Sequence, residues 1–489
     1  MSHCAPCSPT RSSTNHIYFA STRSLCPTCK RAIDAKVVFR DGSVFLAKHC
    51  LDHGPSEVLL ASSVDWYLDA LSFVAPSTAP DGPLKPTRDG CPFDCGPCRL
   101  HQQQMAMPVV PITSACNLNC PVCYTVNRNI DPFFISKESF AQLLDRLGTT
   151  RRDLDIINFT GGEPTLHPEL PELLRMARQA GFRRITLSTN GLKLRDEAYV
   201  RELAALDTRV VLSLDSFDDA TDTALLGATT LKTKLQVLDL LEKHNVTTTI
   251  LPAIAKGLND RELPALLELV LQRKNICSLE AHPIAFTGQG GTGFDRSTRI
   301  TIPDLHRTFH EATHGRITEK DFVPSPLAHP LCYSIAYLLV LDGAPPTLDQ
   351  GYVPFTRFLP RERVFELLSD SLYLQPRDKV EQALGDAIDE IWANPDLVPE
   401  AQRVLSTLKR LIQTLFPSSG PIALEQRQAI AERSTKAIYI HSHMDEETFD
   451  MSRILKCSIA VPEADGSSIP TCSYNILYRG RDPRFRRTG

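Results

Sequence analysis

The chain has 489 residues, with 53 Lys+Arg against 57 Asp+Glu and a formal charge of −4. That balance argues against binding nucleic acid by bulk charge. A content of 42% hydrophobic and 22% charged residues excludes collagen, coiled-coil, disordered and membrane-spanning chains as its main character.

The length corresponds to about three domains, with enough chain to bury a core without disulfides. The first residues, MSHCAPCSPTRSSTN, contain no apolar stretch of a secretory signal. The longest apolar run, roughly 335–341, is too short to span a bilayer. A cytoplasmic protein is expected, with peripheral membrane contact left open. Residues 1–75 form the first region, with short strand-like pieces at 35–39 and 43–46. The stretch APSTAPDGPLKPTRDG reads as a linker, and it leads into GCPFDCGPC; together they make a second region over 76–104.

From 105 to 305 strands and helices alternate with a period of about 30 residues, the signature of repeated βα units and a parallel sheet. Strands are expected at 109–113, 155–159, 184–188, 209–214, 247–252 and 278–283, and helices at 137–147, 168–180, 196–206, 231–243 and 260–272. Six units suit a partial (βα)6 barrel. From 306 to 489 the rhythm stops. Residues 360–435 read as mostly helical, and Val404, Leu405, Leu408, Leu411, Ile412 and Leu415 mark one core-facing amphipathic helix. The tail mixes strand-like pieces with Cys457 and Cys472 and ends in RGRDPRFRR, read as a solvated basic stretch.

Cysteine is the anomaly: 11 of the 15 fall in the first 123 residues. An odd count without an export signal suits metal or redox use better than a disulfide framework. The central motif is Cys116-x3-Cys120-x2-Cys123, on the loop after the first βα strand, where parallel barrels place their active sites. Three thiolates at this spacing suit three corners of a [4Fe–4S] cluster, with the fourth iron open. Zinc, which prefers four ligands in a closed site, fits less well. Gly161-Gly162-Glu163-Pro164 follows the second strand, Ser188-Thr189-Asn190-Gly191 the third and Ser213-Leu214-Asp215 the fourth.

In these segments, over about 105–300, the chain resembles the radical S-adenosylmethionine (radical SAM) superfamily. The resemblance implies that Gly161, Gly162, Glu163 and Pro164 meet the methionyl group of SAM, with Glu163 pairing with its ammonium. It implies that Ser188, Asn190, Ser213 and Asp215 reach the ribose and carboxylate. One departure is Val122, where the superfamily usually has an aromatic residue; here Tyr124 follows the last cysteine.

The remaining cysteines have spacings of their own. Cys26-x2-Cys29 and Cys50-x2-His53 match the two knuckles of a zinc ribbon or rubredoxin-type site, with iron or zinc unresolved and Cys4 or Cys7 competing with His53 as fourth ligand. Cys91, Cys95 and Cys98 repeat the triplet spacing without a strand before them. Cys332, Cys457 and Cys472 stand isolated, and Cys277 reads as a buried thiol. His441-Ser-His443 suits metal binding, proton transfer or a plain surface strand.

Taken together these motifs resemble the tetraether lipid synthase family, whose relatives were classed as radical SAM methylases acting on pterins. The resemblance implies a rubredoxin-like N-terminal domain and two auxiliary [4Fe–4S] clusters. One would be held by Cys91, Cys95 and Cys98, the other by Cys332, Cys457 and Cys472. It implies that SAM is cleaved to a 5′-deoxyadenosyl radical that abstracts hydrogen from an unactivated carbon, with a flavodoxin or ferredoxin as reductant. Coupling of lipid alkyl chains is the first expectation for the net reaction. Methylation of a pterin-like small molecule is the alternative, and an iron–sulfur electron carrier is a third reading from another class. A lipid substrate would need an apolar channel, with candidate walls at 284–286, 335–341 and 404–415.

Overall fold

The computed structural model describes residues 15–80, 84–96, 98–125, 131–150, 154–343, 345–463 and 467–485. Cys4 and Cys7 lie outside them.

The N-terminal lobe is an antiparallel meander of β1 (Ile17–Leu25), β2 (Ala32–Arg40), β3 (Ser43–Cys50) and β4 (Gly54–Ala61). The two-residue repeat of β3 turns Val44, Leu46, Lys48 and Cys50 to the buried face. Lys48 is the exception among apolar neighbours. Its Nζ donates to the carbonyls of Leu25 (3.0 Å) and Glu447 (2.6 Å), which docks the lobe on the C-terminal region. Helix α1 (Val64–Ser72), N-capped by Ser63, follows.

The barrel strands are β5 (Met107–Thr113), β6 (Ile156–Gly161), β7 (Arg184–Thr189), β8 (Thr208–Leu212), β9 (Thr248–Ile250), the two-residue β10 (Ala253–Ile254) and β11 (Ile276–Pro283). Those from β5 to β9, and then β11, pair in parallel and in order. The covering helices are α2 (Lys137–Thr150), α3 (Leu170–Gln179), α4 (Glu197–Ala205), α5 (Asp219–Leu226), α6 (Leu231–Lys243) and α7 (Leu263–Gln272). Each expected strand and helix of this stretch has a counterpart; α5, a single short turn-rich helix, has no expected one.

The sheet does not stop at six strands. Chain after residue 305 returns β12 (Tyr333–Val340), β13 (Tyr352–Pro354), β14 (Thr435–His441), β15 (Ile459–Pro462) and β16 (Ser468–Pro470) to it. β14 adds in parallel to β11, and β15 in parallel to β5 at the opposite edge. Both edges of the six-stranded core are thereby covered, which removes two open ladders of backbone donors and acceptors. β12 and β13 continue antiparallel beyond β14.

Past the short turn α8 (Gly290–Gly293) and α9 (Ile302–Ala312), a second core gathers α10 (Arg361–Leu367), α11 (Asp378–Ala393), α12 (Ala401–Leu415) and α13 (Leu424–Ser434). Helix α12 buries Val404, Leu408, Leu411 and Leu415 in that core, as its periodicity demands, and lines no cavity beside the cysteines. From α13, Glu432 reaches the N-terminal ends of β7 and β8 and pairs with both Arg184 and Arg209, the latter at 2.9 Å. Burial alone would raise its carboxyl; the two guanidinium groups overcome this and hold it down at about 2. Of the basic tail, Arg479 and Arg484 are packed while Arg481 is exposed, and Arg486 and Arg487 lie outside the described residues. Arg479 is buried over the Phe485 ring at 4.0 Å, and Arg484 pairs with Asp482 and Glu463. These two arginines find aromatic and acidic partners that composition alone does not reveal.

Candidate active site and metal-binding clusters

The loop after β5 carries Cys116, Cys120 and Cys123 at the C-terminal mouth of the barrel. It is clamped from two sides. On one side Gly162 N–H donates to the Thr113 carbonyl (2.8 Å) and Glu163 N–H to the Ala115 carbonyl (2.7 Å). A Cβ on Gly161 would stand 2.1 Å from the Thr113 carbonyl oxygen, and one on Gly162 2.1 Å from that of Ala115. Gly161 also has φ +143°, so the turn requires glycine on both counts. On the other side Gln289 Nε2 donates to the Cys120 carbonyl (3.0 Å) and Gly290 N–H to that of Cys123 (3.0 Å). This second clamp is absent from the sequence reading, though the glycine-dense GQGGTG beginning at Gly288, just past the sixth barrel strand, is its signal. Burial pushes the Cys116 thiol up to about 11 and Cys120 to about 12, so in this pocket they are protonated until a metal displaces the proton.

Glu163 is turned into the protein. Its Oε1 accepts from Thr165 N–H (3.0 Å), the Thr165 hydroxyl (2.6 Å) and the Thr189 hydroxyl (2.7 Å), and its Oε2 accepts from Asn190 N–H (2.7 Å). The carboxylate expected to meet an ammonium therefore ties the end of β6 to the end of β7. Pro164 opens the single turn that Glu163 caps. Asn190 Nδ2 donates to Asn117 Oδ1 (2.7 Å), inside the cysteine loop, and Ser188 bonds Asn158 (3.1 Å).

A cavity of about 350 Å³ opens beside the three thiols and descends into the barrel. Gly161, Gly162, Glu163, Ser188, Asn190, Ser213 and Asp215 all line it. Asp215 Oδ1 accepts from Ala253 N–H (2.8 Å), while Oδ2 has no hydrogen-bond partner among the described residues and lies 3.9 Å from Lys234 Nζ, itself fully buried and likewise without one among them. Burial raises the Asp215 carboxyl, and Lys234 opposes this. Lys234 was not singled out from the sequence. Its signal was there, because it shares the buried stripe of α6 with Val237, Leu238 and Leu241, where a lysine needs a reason.

Glu280, His282, His441 and His443 also line the cavity, the histidines at the C-terminal ends of β11 and β14. β11 and β14 run in parallel register, so alternate residues of both face the lumen. Glu280 Oε1 bonds His282 Nε2 (2.9 Å) and lies 3.7 Å from His441 Nδ1. Burial opposes ionisation of Glu280, but the two imidazoles hold its carboxyl below the usual range. Burial pushes His441 down to about 4 and His443 lower still. These histidines are inside the barrel, not on a surface strand.

Next to them a small cavity brings together Cys332, Cys457 and Cys472. Arg453 Nε donates to Cys332 Sγ (3.3 Å), Met444 N–H to Cys472 Sγ (3.4 Å), and His443 Nδ1 lies 3.7 Å from Cys472 Sγ. Burial raises Cys472 to about 11 and Cys457 further. Cys91 and Cys95 sit on a third cluster with Leu25, Tyr474 and Leu477, Cys98 is buried close by them in sequence, and the Cys95 N–H donates to the Tyr478 hydroxyl (2.8 Å). Cys277 is a core thiol at the far end of β11, bonded to the Thr248 carbonyl (3.5 Å).

In the N-terminal lobe Cys26, Cys29, Cys50 and His53 present donor atoms that all lie within 4.8 Å of one another. Cys29 Sγ and Cys50 Sγ are 3.9 Å apart, close to the ~3.8 Å separation that two thiolates about 2.3 Å from one tetrahedral metal must have. His53 completes the tetrad and holds the Cys50 thiol at about 6. The Cys116, Cys91 and Cys332 triplets are not among such tight groups of described residues.

A family model of the radical SAM superfamily matches residues 110–270, and one of the HMPTM N-terminal zinc ribbon domain matches residues 18–62. The chain is 28% identical over 485 residues to a 7,8-dihydro-6-hydroxymethylpterin dimethyltransferase of Methanocaldococcus jannaschii, covering 94% of each chain. It is 34% identical over 167 residues to a GTP 3′,8-cyclase of Chlorobaculum tepidum, spanning 33% of this chain and 48% of that one. Among solved structures, Streptococcus suis SuiB bound to the precursor peptide SuiA aligns with a TM-score of 0.37 at 19% identity, over 44% of this chain and 46% of that one. The α/β barrel thus carries a radical SAM domain behind an N-terminal zinc ribbon, and the chain is a radical SAM enzyme.

Proposed function

We propose that the chain methylates an unactivated carbon of a pterin-like heterocycle. The observation that carries this reading is the cavity interior. In the cavity that holds the Cys116, Cys120 and Cys123 thiols the barrel presents, among apolar neighbours such as Val211, Leu251 and Ile335, the polar side chains of Asn158, Thr186, Ser278, Glu280 and His282. A planar heterocycle rich in nitrogen and oxygen needs such groups to fix its orientation, whereas an alkyl chain has nothing to offer them. The pterin dimethyltransferase, matched over 94% of both chains, supports the same class of substrate. Lipid coupling, the first expectation, finds less support. Of its three expected walls, Ile284, Ala285 and Ile335 do line the cavity, but helix α12 packs in the second core instead, and among the described residues no helix is long and apolar enough to cross a membrane.

The residues fit SAM and a cluster. Cys116, Cys120 and Cys123 are a three-thiol donor set too widely spread for one ion. The Gly161–Gly162 cradle admits no side chain, and the orphaned Asp215 Oδ2 and Lys234 Nζ face the cavity. Lys234 suits the SAM carboxylate and Asp215 its ribose or ammonium. When bound, SAM on a reduced [4Fe–4S] cluster supplies a 5′-deoxyadenosyl radical able to remove a hydrogen atom from the substrate. The chain's part is to hold both partners in register inside the barrel and to shelter them from water. Cys91, Cys95 and Cys98, and separately Cys332, Cys457 and Cys472, hold auxiliary [4Fe–4S] clusters, with electrons from a flavodoxin- or ferredoxin-type reductant. Cys26, Cys29, Cys50 and His53 hold zinc, the metal their tetrahedral Cys3His set prefers.

The test is anaerobic turnover with SAM, a reductant, a one-carbon donor and either 7,8-dihydro-6-hydroxymethylpterin or lipid extract, each deuterated at carbon. Deuterium in 5′-deoxyadenosine and one or two added methyl masses on the pterin are expected. Deuterium transfer from lipid alone would overturn the reading.

A further inference from the structure

We infer that His282, His441 and His443 form a divalent metal site in the barrel lumen, separate from the cysteine clusters and from the zinc ribbon. One donor nitrogen from each ring lies within 4.8 Å of the other two. Three nitrogens about 2.0–2.1 Å from one tetrahedral ion stand roughly 3.4 Å apart, so small rotations of the rings close the site. The ring centroids are 5.1 Å apart for His282–His441 and for His282–His443, and 4.0 Å for His441–His443.

The surroundings have the character of a metal site. Glu280 accepts from His282 Nε2 at 2.9 Å and lies 3.7 Å from His441 Nδ1. The His282 bond leaves its Nδ1 for a ligand, and His441 and His443 add two further imidazoles. A carboxylate behind a ligating histidine fixes its tautomer and raises its basicity. Tyr333 stacks on His441 at 3.8 Å and Tyr124 on His443 at 5.7 Å, so two of the rings are held in place from outside the cluster. Three imidazoles crowded in a lumen around a single carboxylate are costly as core packing, and a cation repays all three at once. Imidazole donors suit Zn²⁺ or Fe²⁺. Three protein ligands leave a coordination position, and all three histidines line the cavity that reaches the Cys116 loop. The site does not depend on the methylation reading.

The experiment uses the full chain, reconstituted with iron and sulfide and then titrated anaerobically with Zn²⁺ or, for its absorption bands, Co²⁺. Two such ions per chain are expected, one in the ribbon and one here. The variant H282N/H441N is expected to bind one, with its iron content unchanged and its ribbon ion showing that it has folded. Cys50→Ser is expected to lose the other ion independently. Anomalous scattering at the zinc edge is expected between β11 and β14. A native chain that binds only the ribbon ion overturns the site, as does a histidine double variant that binds as many ions as the native chain. Loss of iron rather than zinc from His443→Asn would assign that imidazole to the Cys472 cluster and also overturn it.

Discussion

Replacing Glu163 by Gln separates a residue that touches SAM from one that builds the site. The carboxylate is already saturated by four protein donors, from Thr165, Thr189 and Asn190. Glutamine can keep an oxygen at the Oε1 position, with its three donors, but then its NH2 meets the Asn190 N–H. The Asn190 donor loses its acceptor, which costs about 1–3 kcal/mol. The three other bonds fall from charge-assisted to neutral, at roughly 1 kcal/mol each. The local loss is about 4–6 kcal/mol, present whether or not SAM is bound. Hydrogen exchange on the cluster-loaded, SAM-free protein is the assay. Protection of the Thr165 and Asn190 amides is expected to fall at least about a hundredfold, since each 1.4 kcal/mol is tenfold. SAM affinity should weaken as a consequence, because the same loop carries Asn190 to Asn117. Unchanged exchange together with a tenfold weaker SAM constant would show that the carboxylate reaches the ligand, and the positioning argument would be wrong.

Other consequences are as direct. Gly162→Ala puts a Cβ 2.1 Å from the Ala115 carbonyl oxygen, so the glycine turn must leave the cysteine loop; SAM binding measured by calorimetry should vanish. Glu432→Gln leaves Arg184 and Arg209 buried without their counter-charge and should cost roughly 3 kcal/mol at pH 7 by urea unfolding. The folded pKa near 2 lies below the ordinary 4.5, so this stabilisation is complete above pH 4.5 and is lost as pH falls toward 2. The gap between native and variant midpoints should narrow below pH 4.5; a constant gap refutes the assignment. Single Ala substitutions at Cys332, Cys457 or Cys472 should remove about four irons per chain while sparing the SAM-dependent cluster signal. Iron content equal to the native chain's would make those thiols ordinary core residues.

What the sequence disclosed was whatever is written locally. The barrel strands were legible because each is a short apolar run followed by an amphipathic helix, and Cys116, Cys120 and Cys123 because their spacing falls on one loop. The zinc ribbon was legible for the same reason, with Cys26 and Cys29 on one knuckle and Cys50 and His53 on the other. Contacts made over long separations were not. The bond from Gln289 to Cys120 spans 169 residues, and the parallel pairing of β14 with β11 carries no turn or motif to announce it. Lys234 shows the intermediate case. It is a charged residue in the buried apolar stripe of an amphipathic helix, a conflict of pattern that identifies an unusual position without naming its partner, whereas the buried residues of α13 are the polar Gln428 and Glu432 and mark nothing in the sequence.

The placement of β14 and β15 explains why the chemistry of the C-terminal region belongs to the barrel. Their cores are joined by only the segment from Ser442 to Ser458, yet they pair with opposite edges of the six-stranded sheet. That segment must therefore cross the open side of the barrel. It carries His443 at one end and Cys457 at the other, and Met444 and Arg453 between them contact the Cys472 and Cys332 thiols. Lys48 of the zinc ribbon is bonded to its Glu447 carbonyl, so the ribbon braces the crossing from outside. A partial barrel leaves a gap through which solvent could reach a radical. Here the gap is filled by the strand-linked segment that also gathers one set of cysteines. Loss of the ribbon's metal should accordingly be felt at Cys332, Cys457 and Cys472. In the Cys50→Ser chain those thiols should alkylate faster than in a native chain stripped of its clusters but loaded with the ribbon metal, while Cys277, at the far end of β11, keeps its native rate. Equal rates at all four would mean that the ribbon folds beside the barrel without holding it shut.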